Sequence, residues 1–204
     1  MGNHLPSRQY YFMSGLTWSK IASELSVRYD NNGFVFSSVG LKGFPDDKFR
    51  YYILGFMNSS VCKYFIKVLS PGMSIVSGDI EKLPFIFCED DEINDLVKEN
   101  ITITKWDWDN SELSWDFSAS PLVNRGRNVE ESVKSLRKEY AEKIDLLRNN
   151  EKILNIKFAE IYGLKNEIDI DVDDASISVK LPSEEECVKS FISYAVGCIL
   201  GRCL

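Results

Sequence analysis

The stretch from residue 49 to residue 87, FRYYILGFMNSSVCKYFIKVLSPGMSIVSGDIEKLPFIF, restricts the possible folds more than any other part of the chain. Tyr52, Ile53, Phe56, Met57, Tyr64, Phe65 and Val68 recur at helical spacing, which predicts one amphipathic helix with a broad apolar face. Arg50, Asn58, Lys63 and Lys67 fall on its polar side. Ser70, Pro71 and Gly72 end it, because proline lacks an N–H and glycine tolerates positive φ. A second turn at Gly78-Asp79 leads to Leu83-Pro84-Phe85-Ile86-Phe87, which reads as a short buried strand. A helix, a loop and a strand in that order need a sheet to pack against.

The preceding residues supply one. GLTWS and SVRY read as strands, with a helical turn near Ile21 to Leu25 as a further option. Asp30-Asn31-Asn32-Gly33 is the hairpin turn, and Phe34-Val35-Phe36 resumes the sheet. Residues 37–43 read as a small-residue loop closed by Phe44-Pro45, and Asp46 and Asp47 as cap and dipole partners of the helix that follows. The fold class is therefore α/β (α+β), with an irregular mixed sheet.

After residue 88 the pattern loosens. Asp90 to Val97 reads as a short helix, Ile101 to Thr104 as a strand, and Trp106, Trp108, Trp115 and Phe117 as packing anchors, since neighbouring carboxylates would repel phosphates from a stacking platform. Val129, Val133, Leu136, Tyr140, Ile144, Leu147, Leu154, Phe158 and Ile161 mark a coiled-coil-like helix of roughly 50 Å that requires a partner, in the same chain or a second one. Asn149-Asn150 is a candidate kink or break, and Gly163 a stop. The Asp169, Asp171, Asp173 and Asp174 run lacks the glycine and glutamate of a calcium loop and reads as an acidic edge before an Ile177 to Val179 strand. A strongly apolar helix from Glu184 to Leu204 closes the chain.

Whole reaction classes drop out. His4 is the only histidine, so histidine-based triads and zinc sites have no ligand set. Cys62, Cys88, Cys187, Cys198 and Cys203 form no C-x-x-C pair and read as reduced, small apolar residues. No apolar run reaches the ~18 residues of a membrane span, and the first residues have no signal-like segment, so the expectation is a cytoplasmic protein with no membrane partner. Neither a D/N-P-P-Y/F loop nor a glycine-rich cofactor turn is present, so no cofactor and no catalysis by the chain itself are expected. Pro45-Asp46-Asp47-Lys48 compresses nuclease-like letters into one turn without a second acidic strand. Charge is uneven: residues 1–85 carry nine Lys/Arg against six Asp/Glu, net +3, and residues 86–204 carry fifteen against twenty-five, net −10. A nucleic-acid surface belongs in the first part.

The ordered set GLTWS, NNGFVF, ILGFMNS and SPGMSIVSGDIEKLPFIF resembles the target-recognition region of BREX-type adenine-specific DNA methyltransferases, and more loosely the specificity domains of restriction-modification systems. The match covers roughly residues 10–87, with DWDNSELSWDF and the last helix as weaker echoes. The resemblance implies a recognition-like domain over residues 1–127 and a helical spacer and interaction region over 128–204. It implies phage defence, double-stranded DNA as ligand, and a methyltransferase catalytic domain or other BREX or restriction subunits as partners. Donors and acceptors on loops, with Lys and Arg for phosphates, then make Lys20, Arg28, Ser37, Ser38, Lys42, Ser74 and Ser77 the candidate DNA-binding residues. Trp18 either stacks or packs, and Arg28 either contacts a base or forms an internal salt bridge. A second reading is an assembly module, homo-oligomeric through its helices, without DNA binding.

Overall fold

The computed structural model describes residues 8–31 and 33–201. The expectations that concern His4, Asn32, Cys203 and the end of the last helix lie outside the described residues. Those described form three strands and six α-helices: β1 (Gly15–Ser19), β2 (Val27–Asp30), β3 (Gly40–Gly43), α1 (Arg50–Asn58), α2 (Ser60–Leu69), α3 (Ser77–Ile80), α4 (Asp91–Asp109), α5 (Val129–Ile161) and α6 (Glu184–Ile199). The α/β class holds. Contacts group into two compact units, Met1–Lys98 with Glu151–Asp171 and Glu99–Asn150 with Val172–Leu204.

In the first unit the sheet order is β2-β1-β3, antiparallel on both sides of β1 rather than mixed. GLTWS occupies the centre because Leu16 and Trp18 are buried and therefore share one face. The third strand is not Phe34-Val35-Phe36 but Gly40–Gly43, within the expected loop, with Lys42 opposite Thr17 and Leu41 opposite Trp18. Residues 21–25 form no helical turn. Trp18 packs, 6% exposed, and its indole N–H donates to the Ile75 carbonyl at 3.4 Å.

The expected single helix is two. Ser59 adopts extended backbone, its hydroxyl donating to Phe56 O at 2.7 Å and accepting from Cys62 N, so it closes α1 and caps α2 at once. The break rotates the apolar face: α2 buries Val61, Cys62 and Ile66, while Tyr64 and Val68 are exposed. Asn58, assigned to the polar side, instead pairs with both backbone groups of Val27 at 2.9 and 3.0 Å and docks α1 on β2. Upstream, Asp46 makes no side-chain cap and Asp47 pairs with Arg50.

Leu83 to Phe87 belongs to no sheet, and Phe85, Ile86 and Phe87 are about half exposed. Two tyrosines hold its backbone. The Tyr52 hydroxyl donates to Ile86 O at 3.0 Å and accepts from Cys88 N; the Tyr162 hydroxyl donates to Pro84 O at 2.8 Å and accepts from Ile86 N at 3.0 Å. Burial pushes the Tyr52 phenol up to about 12 and the Cys62 thiol likewise to about 12, so both stay protonated at neutral pH.

In the second unit the β-branched run Ile101 to Thr104 is helical, part of α4. Ile103 is buried, and the Thr104 hydroxyl donates back to Asn100 O at 2.9 Å, which satisfies it inside the helix. α5 runs unbroken through Asn149-Asn150. Asn150 is buried, and its amide donates to Glu99 at 2.7 Å and Asn100 at 3.0 Å on α4, so the long helix finds a partner within its own chain. Ile177 and Val179 fill the core of this unit without forming a strand. Of the tryptophans, Trp106 packs on Tyr140, whereas Trp108 and Trp115 are 53% and 91% exposed. Asp174 pairs with Arg148 here, and in the first unit Asp171 pairs with Lys152. Cys62, Cys88 and Cys187 are free thiols, while Cys198 is disulfide-bonded, against the expectation of reduced cysteines. Among the described residues no helix is long and apolar enough to cross a membrane.

Candidate nucleic-acid interface

Three segments far apart in sequence meet just beyond the C-terminal end of β1. Lys20 N donates to Val39 O at 2.7 Å, Lys20 O accepts from Ile75 N at 2.8 Å, and Ala22 N donates to Met73 O at 3.1 Å. Ile21 and Ser74 form an antiparallel bridge. Backbone pairing thus brings Lys20, the 37–40 turn and Ser74 side by side, and a rigid backbone is what a base-reading surface requires.

Lys20 is half-buried and makes no ion pair among the described residues. The Ser37 hydroxyl accepts from Val39 N at 3.2 Å and Gly40 N at 3.0 Å, which stabilises the turn and leaves its proton to donate; Ser38 stands exposed at the tip. Ser74 is exposed, and its carbonyl accepts from the Ser70 hydroxyl. Ser77, also exposed, opens the one-turn α3 three residues further on. Arg28 lies on edge strand β2 opposite Thr17, on the sheet face away from Leu16 and Trp18, and makes no ion pair among the described residues.

Lys42 is the correction. Its side chain is 1% exposed, and its ammonium pairs with Asp30, itself 5% exposed, while also donating to Met13 O at 2.6 Å and Phe34 O at 3.4 Å. The Asp30 carboxylate also accepts from Gly33 N and Phe34 N at 3.0 and 2.9 Å. All three ammonium protons are thereby directed into the protein, so Lys42 holds the loop over the sheet instead of facing a phosphate. The sequence alone did not reveal this, because a lysine in an expected loop looks exposed until the strand it joins and the segment that covers it are known. Conversely, Ser19 was passed over: it is exposed, shares its face with Thr17 and Arg28, and stands opposite Gly40, which has no side chain to screen it. The apolar-polar alternation of Leu16-Thr17-Trp18-Ser19 was the available signal.

A cleft of about 140 Å³ between Leu25 and Ile66 is lined by Glu24, Lys63 and Lys67. It is smaller than the roughly 300–1,000 Å³ of cofactor and substrate sites. Lys63 pairs with Glu24 across it at 3.3 Å.

No protein-family model matches the chain. It is similar to the adenine-specific methyltransferase PglX of Lacticaseibacillus casei (strain Zhang), 31% identical over 208 residues, which cover 98% of this chain and 17% of that protein. It is also similar to the adenine-specific methyltransferase BrxX of Escherichia coli O9:H4 (strain HS), 30% identical over 222 residues, covering 98% of this chain and 18% of that protein. The chain is thus related over nearly its whole length to BREX adenine methyltransferases, and spans less than a fifth of their length.

Proposed function

We propose that this chain is a non-catalytic DNA sequence-recognition module, a fragment or truncated homologue of a BREX adenine-specific DNA methyltransferase acting in phage defence, with methyl transfer carried by another domain or chain. The observation that carries the reading is the juncture of Lys20, the Ser37-Ser38 turn and Ser74. One cation beside several hydroxyls on fixed backbone is the pairing that DNA reading needs: the ammonium neutralises a phosphate and the hydroxyls donate to or accept from base edges. Arg28 supplies a second cation on the outer face of the sheet. The net positive balance of residues 1–85 supports the same side of the molecule. The non-catalytic part rests on the missing D/N-P-P-Y/F loop and cofactor turn. The small Lys63 and Lys67 cleft has no catalytic role in this reading. Double-stranded DNA and a methyltransferase catalytic domain are the partners.

Lys20→Ala is expected to weaken duplex binding about equally for all sequences and to reduce the salt slope of log K by about 1, the loss of one phosphate contact. Ser38→Ala is expected to change sequence preference while leaving that slope in place. Fluorescence anisotropy across a salt series measures both. Unaltered affinity and slope in Lys20→Ala would remove Lys20 from the interface.

A further inference from the structure

Phe12 stands in a backbone conformation that a bulky residue seldom adopts. Its φ is 63°, and its side chain is 73% exposed, so burial does not account for the strain. The surrounding structure holds it there. Tyr11 N donates to Arg8 O at 3.1 Å and Met13 N to Tyr10 O at 3.4 Å, closing a turn around it. Gly33, itself at φ 68°, lies so near that a Cβ there would collide with the Phe12 carbonyl. Gly33 N is fixed by the Asp30 carboxylate, and Met13 O by the Lys42 ammonium. The buried pair of Lys42 and Asp30 thus clamps both backbone segments that bracket Phe12. The Phe12 ring meets Tyr11 edge-on, centroids 6.4 Å apart, and Tyr11 in turn rests edge-on against Phe36 at 6.0 Å.

The clamp also sets where the turn lies. Lys42 and Arg28 stand opposite Thr17 from its two neighbouring strands, so all three share the sheet face away from Leu16 and Trp18. Because the Lys42 ammonium reaches Met13 O, the turn that carries Phe12 lies on that face too. Arg28 there and Arg8 in the turn are exposed and make no ion pair among the described residues. An exposed ring with two such guanidiniums on its side of the sheet matches a polyanion that carries π-faces, and duplex DNA is one. We propose that Phe12 is an apolar wedge that enters between two stacked base pairs and bends the duplex, with Arg8 and Arg28 on nearby phosphates. This rests on the DNA-recognition reading and adds to it a residue that deforms the ligand, so that sequence is read in part through the cost of opening one step. The strained backbone serves that role, since a ring pinned in advance loses little freedom on insertion.

The test uses the full chain and a pool of random-sequence duplexes with a donor and an acceptor dye at opposite ends. Saturating wild type is expected to raise energy transfer, because inserted wedges bend a duplex by roughly 20–90°. Phe12→Asn removes the ring and keeps a residue that tolerates positive φ. It is expected to leave energy transfer at the level of free duplex and to weaken binding roughly tenfold, the worth of one base stack. The salt slope of log K should not change, since no charge is lost. Its urea midpoint is expected at or above that of wild type, whereas Phe12→Tyr is expected to keep wild-type affinity and bend. Salt-dependent binding by wild type without a rise in energy transfer, or Phe12→Asn binding and bending like wild type, would overturn the wedge and leave the recognition reading standing. A chain that binds no duplex even at low salt would overturn both. A Phe12→Asn midpoint well below wild type would make the ring a packing residue and likewise overturn the wedge.

Discussion

Asp30→Ala is expected to destabilise the chain by about 3–5 kcal/mol, because it leaves the Lys42 ammonium buried without its counter-charge. The geometry makes the penalty large. Both side chains are almost fully enclosed, and the same carboxylate holds the Gly33 and Phe34 amides that fold residues 33–36 over the sheet. Lys42→Ala removes the opposite partner and is expected to cost a similar amount, leaving a buried carboxylate that retains two amide bonds. Replacing both by apolar residues, Asp30→Leu with Lys42→Met, is expected to recover much of the loss, since neither charge then has to be desolvated. Urea unfolding followed by circular dichroism checks this series. A loss below about 1 kcal/mol for Asp30→Ala would place the pair in the solvent-screened class and return Lys42 to the surface.

The second large effect concerns Phe158, which is 0% exposed and whose ring centroid lies 5.3 Å from Tyr52 and 5.8 Å from Phe56. It fills the space where α5 meets α1. A methyl group built on Gly55 would stand 2.8 Å from Val97 and 3.4 Å from the Phe158 ring, so the helices there are already as close as a glycine permits. Phe158→Ala is expected to cost about 3–5 kcal/mol, the transfer free energy of the ring plus the cavity that this tight frame cannot close. The urea midpoint should fall with little change in m, since the surface exposed on unfolding hardly alters. A midpoint within the error of wild type would mean that the frame collapses onto the gap.

What the sequence made legible follows the range of the forces involved. GLTWS and SVRY declared themselves as strands, the second one residue out of step with the observed Val27–Asp30, because one face had to be buried, and α5 because its three-four pattern extends far beyond any turn. Ser59 was hidden by a continuous helical pattern, although Asn-Ser-Ser is a capping signature that competes with it. Phe85 and Phe87 looked like strand residues because the signal for a buried extended segment does not say who will bond its backbone. Here two tyrosine hydroxyls do, one of them from residue 162. Ile101 to Thr104 favours a strand by propensity, and packing of Ile103 in the core of its unit overrode it. Among the candidate DNA-binding residues, Lys20, Ser37 and Ser38 converge because they flank strand ends, and Ser74 joins them through its bridge to Ile21. Lys42 does not join them, because its counter-charge lies twelve residues away at the end of β2 and the pairing is visible only in three dimensions.

The central claim is that the chain reads DNA by itself, and selection from random duplex DNA tests it most directly: full chain at low salt, retained DNA sequenced, the selection repeated at rising salt. The account predicts one enriched motif, retention that falls steeply with salt, and a loss of retention in Lys20→Ala that does not alter the motif. Retention of no motif, with binding absent or indifferent to salt, would contradict it.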